Sequence, residues 1–171
     1  MKKILLVAVM ALASISFAVA QPRAIGANLG GSLGFSYQHG FGEKNMLDVA
    51  AYTPIAVGRA STWGISGIVT YDWIDPFNTS VPWNEKGEWH WYMGVGGAGG
   101  FFFGTTSGYV GAAGHFGIEY DFWFPMQLSV DYRPVIGVGI ATADGVTGVG
   151  FNTGGLYEGI TIGIRYLFNR N

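Results

Sequence analysis

Apolar and small polar residues alternate along this chain with a period of two. After residue 20 no apolar run reaches the roughly 20 residues that a membrane-spanning helix needs. The C-terminal stretch EGITIGIRYLFNRN shows the pattern clearly. Ile160, Ile162, Ile164, Tyr166 and Phe168 fall on one parity, and Thr161, Gly163 and Arg165 on the other. From Ile25 to Gln38 the same alternation runs for fourteen residues, with Ile25, Ala27, Leu29, Leu33, Phe35 and Tyr37 set against Gly26, Asn28, Gly30, Ser32, Gly34, Ser36 and Gln38. Side chains on a strand point alternately to opposite faces, so the pattern dictates strands with one greasy face and one small or polar face. No helix-period segment, coiled coil or second domain interrupts it.

The N-terminus indicates export. MKKILLVAVMALASISFAVA has Lys2 and Lys3, then an apolar core, then Ala18-Val19-Ala20 as a small-x-small cleavage site before Gln21. Residues 1–20 therefore read as a cleaved signal peptide, and residues 21–171 as one domain of 151 residues. Without the signal, seven Lys+Arg face eleven Asp+Glu, a net of −4 that gives a nucleic-acid partner no electrostatic support. Cysteine is absent, so no disulfide stabilises this exported domain. Gly accounts for 29 residues and aromatics for 16%, while charged residues are only 12%. A chain this apolar without a spanning helix disperses its greasy groups along alternating strands.

Turn signals divide the chain into eight expected strands. The first is Ile25–Gln38, ended by HGFGEKN. Met46–Thr53 and Thr62–Trp73 follow, then a long loop from Ile74 to Trp89 that holds Pro76 and Pro82. His90–Phe103 and Tyr109–Phe122 come next, separated by GTTSG. A sixth strand starts at Met126; Pro134, which cannot donate to a ladder, marks its end or a bulge. A seventh lies in VTGVGFN, after the turn signal ADG, and the C-terminal stretch is the eighth.

Bulk decides which face points inward. An eight-stranded barrel has an interior just wide enough to be filled by side chains. Phe35, Tyr37, Trp63, Tyr71, Trp73, Phe101, Phe103, Phe116, Phe122, Tyr132, Tyr166 and Phe168 would overfill it. The opposite parity offers Gly26, Gly30, Gly34, Ser32, Ser66, Gly94, Gly96 and Gly163, which fit a cramped lumen. The expected fold is thus all-β, an eight-stranded antiparallel up-and-down transmembrane barrel with its apolar face toward lipid; a soluble, inward-packed barrel or sandwich is the competing reading. With both termini periplasmic, strand direction sorts the aromatics into two girdles. Tyr37, Tyr71, Trp73, Trp91, Tyr120 and Phe122 fall at the outer interface, and Phe101, Phe103, Tyr166 and Phe168 at the inner one.

The stretches GGSLGFSYQHGFGEKN, GIEYDFWFPMQLSVDYRP and GIRYLF resemble small outer-membrane β-barrel proteins of the OmpX/OmpA-type class, including small barrels common in Bacteroidota. The run from Gly159 to Phe168 is similar to the C-terminal signal read by the outer-membrane barrel assembly machinery, here followed by Asn169-Arg170-Asn171. The resemblance covers the whole mature chain. It implies a fold, a location in the bacterial outer membrane, and contact with outer-membrane lipid, lipopolysaccharide and the assembly machinery; it implies no activity.

The polar parity carries one constellation: Asp48, Asp72, His115, Glu119, Asp121, Asp131, Arg133 and Arg165. Paired, hydrated charges inside a plugged barrel are its plainest reading, because an uncompensated buried charge costs several kcal/mol. On the expected strand directions Asp48, Asp72, Glu119 and Asp121 lie toward the outer half and Arg165 lies low, which leaves a cation site or a gated polar path as the alternative. Arg133 is expected to bridge lumen carboxylates. Lipid A-modifying barrel enzymes are weighed and set aside, because the residues two places after His39, His90 and His115 are Phe41, Tyr92 and Gly117, none of them a nucleophilic serine. No metal or cofactor motif occurs. The long loop displays Phe77, Trp83 and Trp89, an aromatic set suited to a protein partner at the cell surface. The functional expectation is a non-enzymatic outer-membrane barrel with a filled lumen and a structural or surface-interaction role. A narrow pore for very small solutes and a lipid A-modifying enzyme are the alternatives.

Overall fold

A computed structural model describes residues 22–54, 63–75, 86–103, 106–143, 146–153 and 159–168. They form ten strands: β1 (Pro22–Gly30), β2 (Ser32–Gly40), β3 (Asn45–Pro54), β4 (Gly64–Ile74), β5 (Glu88–Phe102), β6 (Ser107–Asp121), β7 (Met126–Tyr132), β8 (Val135–Ala143), β9 (Val146–Asn152) and β10 (Ile160–Leu167). Every pairing is antiparallel. β1 to β7 are joined in order, and β10 bridges β7 to β1, which closes an eight-stranded barrel. Closure removes sheet edges from the wall. β8 and β9 are two further strands outside it.

The run Ile25–Gln38 is two strands, not one. The chain reverses at Gly30-Gly31-Ser32, and Leu29 pairs with Leu33 and Asn28 with Gly34. This hairpin is symmetric about residue 31, so the parity of inward residues passes unchanged through the turn. Alternation alone cannot register such a reversal; only the Gly-Gly pair marks it.

Beyond Pro134 the chain pairs again. β7 lies along Phe116–Asp121 of β6 and β8 along Ser107–Ala113, so the two share one edge of β6 with Arg133-Pro134 as the break between them. The Gly114 amide donates to the Pro134 carbonyl at 2.9 Å and holds the junction. β9, the strand expected in VTGVGFN, returns along β8 only. The barrel still counts eight strands, because the split of the first expected strand supplies the one that β9 does not.

The split also changes which end each strand finishes at. We term the end where β1 starts and β10 finishes the near end. The β2–β3, β4–β5 and β6–β7 connections lie there; β1–β2, β3–β4, β5–β6 and β8–β9 turn at the far end. Left-handed backbone marks three connections, at Gly42 (φ 74°), Asp75 (φ 45°) and Thr106 (φ 42°).

Burial alternates along most of the wall, most clearly away from β5. Burial along β10 reads exposed, buried, exposed from end to end, and β4 and β7 repeat it. Trp63, Ile65, Val95, Phe101, Val110, Phe116, Val130, Ile162 and Tyr166 are exposed on the outside, while Asp48, Asp72, His115, Glu119 and Asp131 are fully buried. Glycine makes room for the large groups that do point inward: a Cβ on Gly117 would overlap the Tyr92 ring, and one on Gly34 the Tyr52 ring.

Candidate functional site: the ionic interior

Arg165 stands at the centre of the interior. It projects inward from β10 across Gly26 and Gly163, neither of which has a side chain to obstruct it. Nε donates to Ser36 Oγ at 2.8 Å, Nη1 to Gln127 Oε1 at 3.1 Å and Ser129 Oγ at 2.6 Å, and Nη2 to Asn28 Oδ1 at 3.2 Å and Asp131 Oδ2 at 3.0 Å. Four strands, β1, β2, β7 and β10, are thereby tied to one guanidinium.

Asp131 collects the other side of the network. It accepts from Arg165, from Ser129 Oγ at 2.9 Å, from the Tyr92 hydroxyl and from His115 Nε2 at 3.2 Å. His115 Nδ1 lies 3.0 Å from Asp72 Oδ1 and 3.3 Å from Thr70 Oγ1, and the Thr70 hydroxyl donates to Asp72 Oδ2 at 3.1 Å. The imidazole thus stands between two carboxylates, one at each ring nitrogen. Arg133 donates through Nη1 to Asp48 Oδ1 at 2.8 Å, and its Nη2 stands 4.0 Å from Asp131 Oδ2. It contacts one lumen carboxylate by hydrogen bond and only approaches the second.

The network continues to the near-end mouth through Gln127, which meets both Arg165 and Asp121, and Gln38, which donates to Asp48 at 3.4 Å. Arg23 of β1 pairs with Glu119, lies 3.9 Å from Asp121, and donates to Gln38 Oε1 at 2.9 Å. Asp121 accepts from Gln127 Nε2 at 3.0 Å. Met46, Ile74 and Tyr92 pack together beside it. Toward the far end the interior turns apolar, with Ala50, Ile68, Ala98 and Ala113 packed together against Tyr52, Tyr109 and Val135.

All eight residues of the polar constellation face the interior, but their heights differ from expectation. Arg165 pairs with Gln127 and Gly26, near the ends of the strands that carry Glu119 and Asp121, so it sits among the carboxylates and not below them. The aromatic sorting changes for the same reason. Tyr37, Tyr71, Trp73, Trp91, Tyr120, Phe122, Tyr166 and Phe168 belong to the near end, and Phe101 with Phe103 to the far end. Tyr166 and Phe168 meet edge-on with centroids 5.3 Å apart, as Phe101 and Phe103 do at the opposite end. The connection that carries Phe77 and Trp83 leaves from the near end, the same end as the start of β1; those two residues lie outside the described set, as do residues 1–20. Trp89 packs on Tyr120 with centroids 4.9 Å apart.

Sequence reasoning missed Arg23, Gln38, Tyr52 and Tyr92. Arg23 precedes the alternation as it was read. Tyr92 shares the parity of Gly94 and Gly96, but its fit depends on Gly117 across the ladder, which no single strand reveals. Among the described residues no group of His, Asp and Glu has the arrangement of a metal site. Comparison with protein-family models, with curated proteins and with solved structures found no match.

Proposed function

We propose that this chain is an integral outer-membrane barrel with a side-chain-filled lumen, and that it serves a structural or surface-contact role without catalysing a reaction. One observation carries the reading: the usual partition of residues is inverted. Ionic and amide groups occupy the buried interior, while Leu, Ile, Val, Phe and Trp cover the outside of a closed wall. In water such an exterior would be a continuous apolar surface far beyond what a soluble monomer tolerates; in a bilayer it is the solvated face. The tight interior hydrogen bonding supports a plug over an open path.

On this reading the near end is periplasmic, so the β4–β5 connection leaves on the periplasmic side, with Trp89 at the start of β5 beside it. Surface contacts fall instead to the β1–β2 turn and the β8–β9 hairpin. β9 pairs with β8 alone, and a free sheet edge is not tolerated in hydrocarbon, so the hairpin stands clear of the bilayer on the outer side. The test is fractionation of expressing cells, followed by electrophoresis with and without boiling. The protein is expected in the outer-membrane fraction with a heat-modifiable mobility. A soluble, detergent-independent monomer in buffer would overturn the reading.

A further inference from the structure

We infer that Asp75 and His90 form a proton-dependent clasp at the near-end mouth, tying the end of β4 to the start of β5. Ile74 and Tyr92 make the last rung of the β4–β5 ladder. The next rung would exchange two main-chain bonds between Asp75 and Trp91. The Asp75 amide supplies one, donating to the Trp91 carbonyl at 2.8 Å. For the other, Asp75 has turned into the left-handed region at φ 45°, unusual for a residue that is not glycine and more so before Pro76. Its carboxylate takes the place of its carbonyl. Oδ1 accepts from the Trp91 amide at 3.1 Å, and Oδ2 lies 2.6 Å from His90 Nδ1.

The pair is open to protons from solvent. His90 stands on the solvent side of the girdle residue Trp91, with its side chain 25% exposed and that of Asp75 28%. Among the described residues, carboxylates face the ring from each neighbouring element. Asp75 comes from the end of β4, and Glu88 Oε2 on the same strand as His90 lies 3.6 Å from Nε2. Glu119 stands opposite His90 in the β5–β6 ladder, and Asp121 lies two residues further along β6. Arg23 of β1 faces them, pairing with Glu119 and lying 3.9 Å from Asp121. Lys44 and Lys86 are exposed in the neighbouring connections.

A proton on His90 therefore reduces an excess of negative charge, and it turns the Asp75 contact into a charge-assisted hydrogen bond, roughly twice as strong as a neutral one. Burial disfavours the charged ring. The Asp75 hydrogen bond and the charges of Glu119, Asp75 and Asp121 outweigh that and hold His90 above the usual histidine range. The same carboxylate completes the Asp75–Trp91 rung, so the proton and the rung are coupled. The left-handed conformation of Asp75 persists only while such contacts hold it. Because the folded value is raised, the contribution is complete in acid and is lost as pH rises through that value. The end of β4 is firmer in acid than in base.

Hydrogen exchange of the Trp91 amide tests this, measured on the nitrogen-labelled mature chain in detergent micelles while the His90 ring is titrated in the same samples. The ring is expected to titrate above the ordinary histidine value of about 6.5. Trp91 protection, corrected for the intrinsic pH dependence of exchange, is expected to fall about five- to tenfold from acid to base across that titration. In Asp75→Asn the ring midpoint is expected to drop toward the ordinary value. In His90→Gln, which keeps a neutral donor, Trp91 protection is expected to be the same at both extremes. A ring titrating at or below the ordinary value, unchanged Trp91 protection in the native chain, or an equal fall in His90→Gln would each overturn the clasp. The readout is local to the mouth and taken in micelles, so its failure would leave the membrane reading untouched.

Discussion

β10 and β9 are written in nearly the same way and end in different surroundings. Each sets branched or aromatic groups on one parity, Ile162, Ile164 and Tyr166 in β10 and Val149 and Phe151 in β9. Each sets small groups on the other, Gly163 in β10 and Gly148 with Gly150 in β9. In β10 the small parity is buried, because β1 and β7 flank it and the opposite wall closes over it. In β9 residues 146–151 are exposed on both parities. Alternation therefore specifies which side chains share a face, and only closure decides whether that face has an inside.

The largest test of this contrast concerns the interior that β10 has and β9 lacks. Asp131→Ala leaves Arg165 and His115 without their shared carboxylate and is expected to cost about 3–5 kcal/mol, the range for breaking a buried charge pair. Urea unfolding of the micelle-bound chain would measure it. A loss below about 1 kcal/mol would mean that the network is slack and the lumen is better described as hydrated than as packed.

Next in size is a charge placed on the outer face. On the membrane reading Ile164→Arg puts a guanidinium against acyl chains and is expected to cost about 2–4 kcal/mol near the midplane. Val149→Arg, on the equivalent parity of β9, is expected to cost about 0–1 kcal/mol, the range near the interfaces. Refolding yield into lipid vesicles, compared across the two variants, reads the difference. Equal losses would place β9 at bilayer depth.

The smallest effects come from adding one methyl group. Gly117→Ala drives a Cβ into the Tyr92 ring and is expected to lower stability by about 1–3 kcal/mol through overpacking. Gly150→Ala meets nothing within 4 Å and is expected to be neutral or to stabilise by about 0.4–1 kcal/mol, by restricting the unfolded chain. Thermal shifts of opposite sign would sharpen the comparison between wall and hairpin. A destabilising Gly150→Ala would show that the inner parity of β9 is covered.

Much of the candidate site was legible. Parity alone placed Asp48, Asp72, His115, Glu119, Asp121, Asp131, Arg133 and Arg165 on one face, and that face is the interior. Their heights were not legible. A hairpin with an odd number of residues between its last paired positions preserves phase, so the reversal at Gly31 was hidden and every expected strand from Met46 through VTGVGFN acquired the wrong direction, until β10 restored it. β8 was missed although Pro134 reads as an end or a bulge, because no strand was traced beyond it; the register on β6 runs on across Arg133-Pro134 as a bulge would allow. Pro134 is an end for the β7–β10 ladder, but β6 is long enough to accept a second strand along the same edge.

The amino-acid sequence by itself determined that this chain makes alternating strands with a greasy parity and a small, ionic one, because side-chain period is a local property of extended backbone. Which positions lie opposite one another was decided by ladder register and barrel closure, contacts between residues as distant as Asn28 and Arg165. That is why Tyr92 could be buried against Gly117 and why β9, with the same alphabet as β10, found no interior to face.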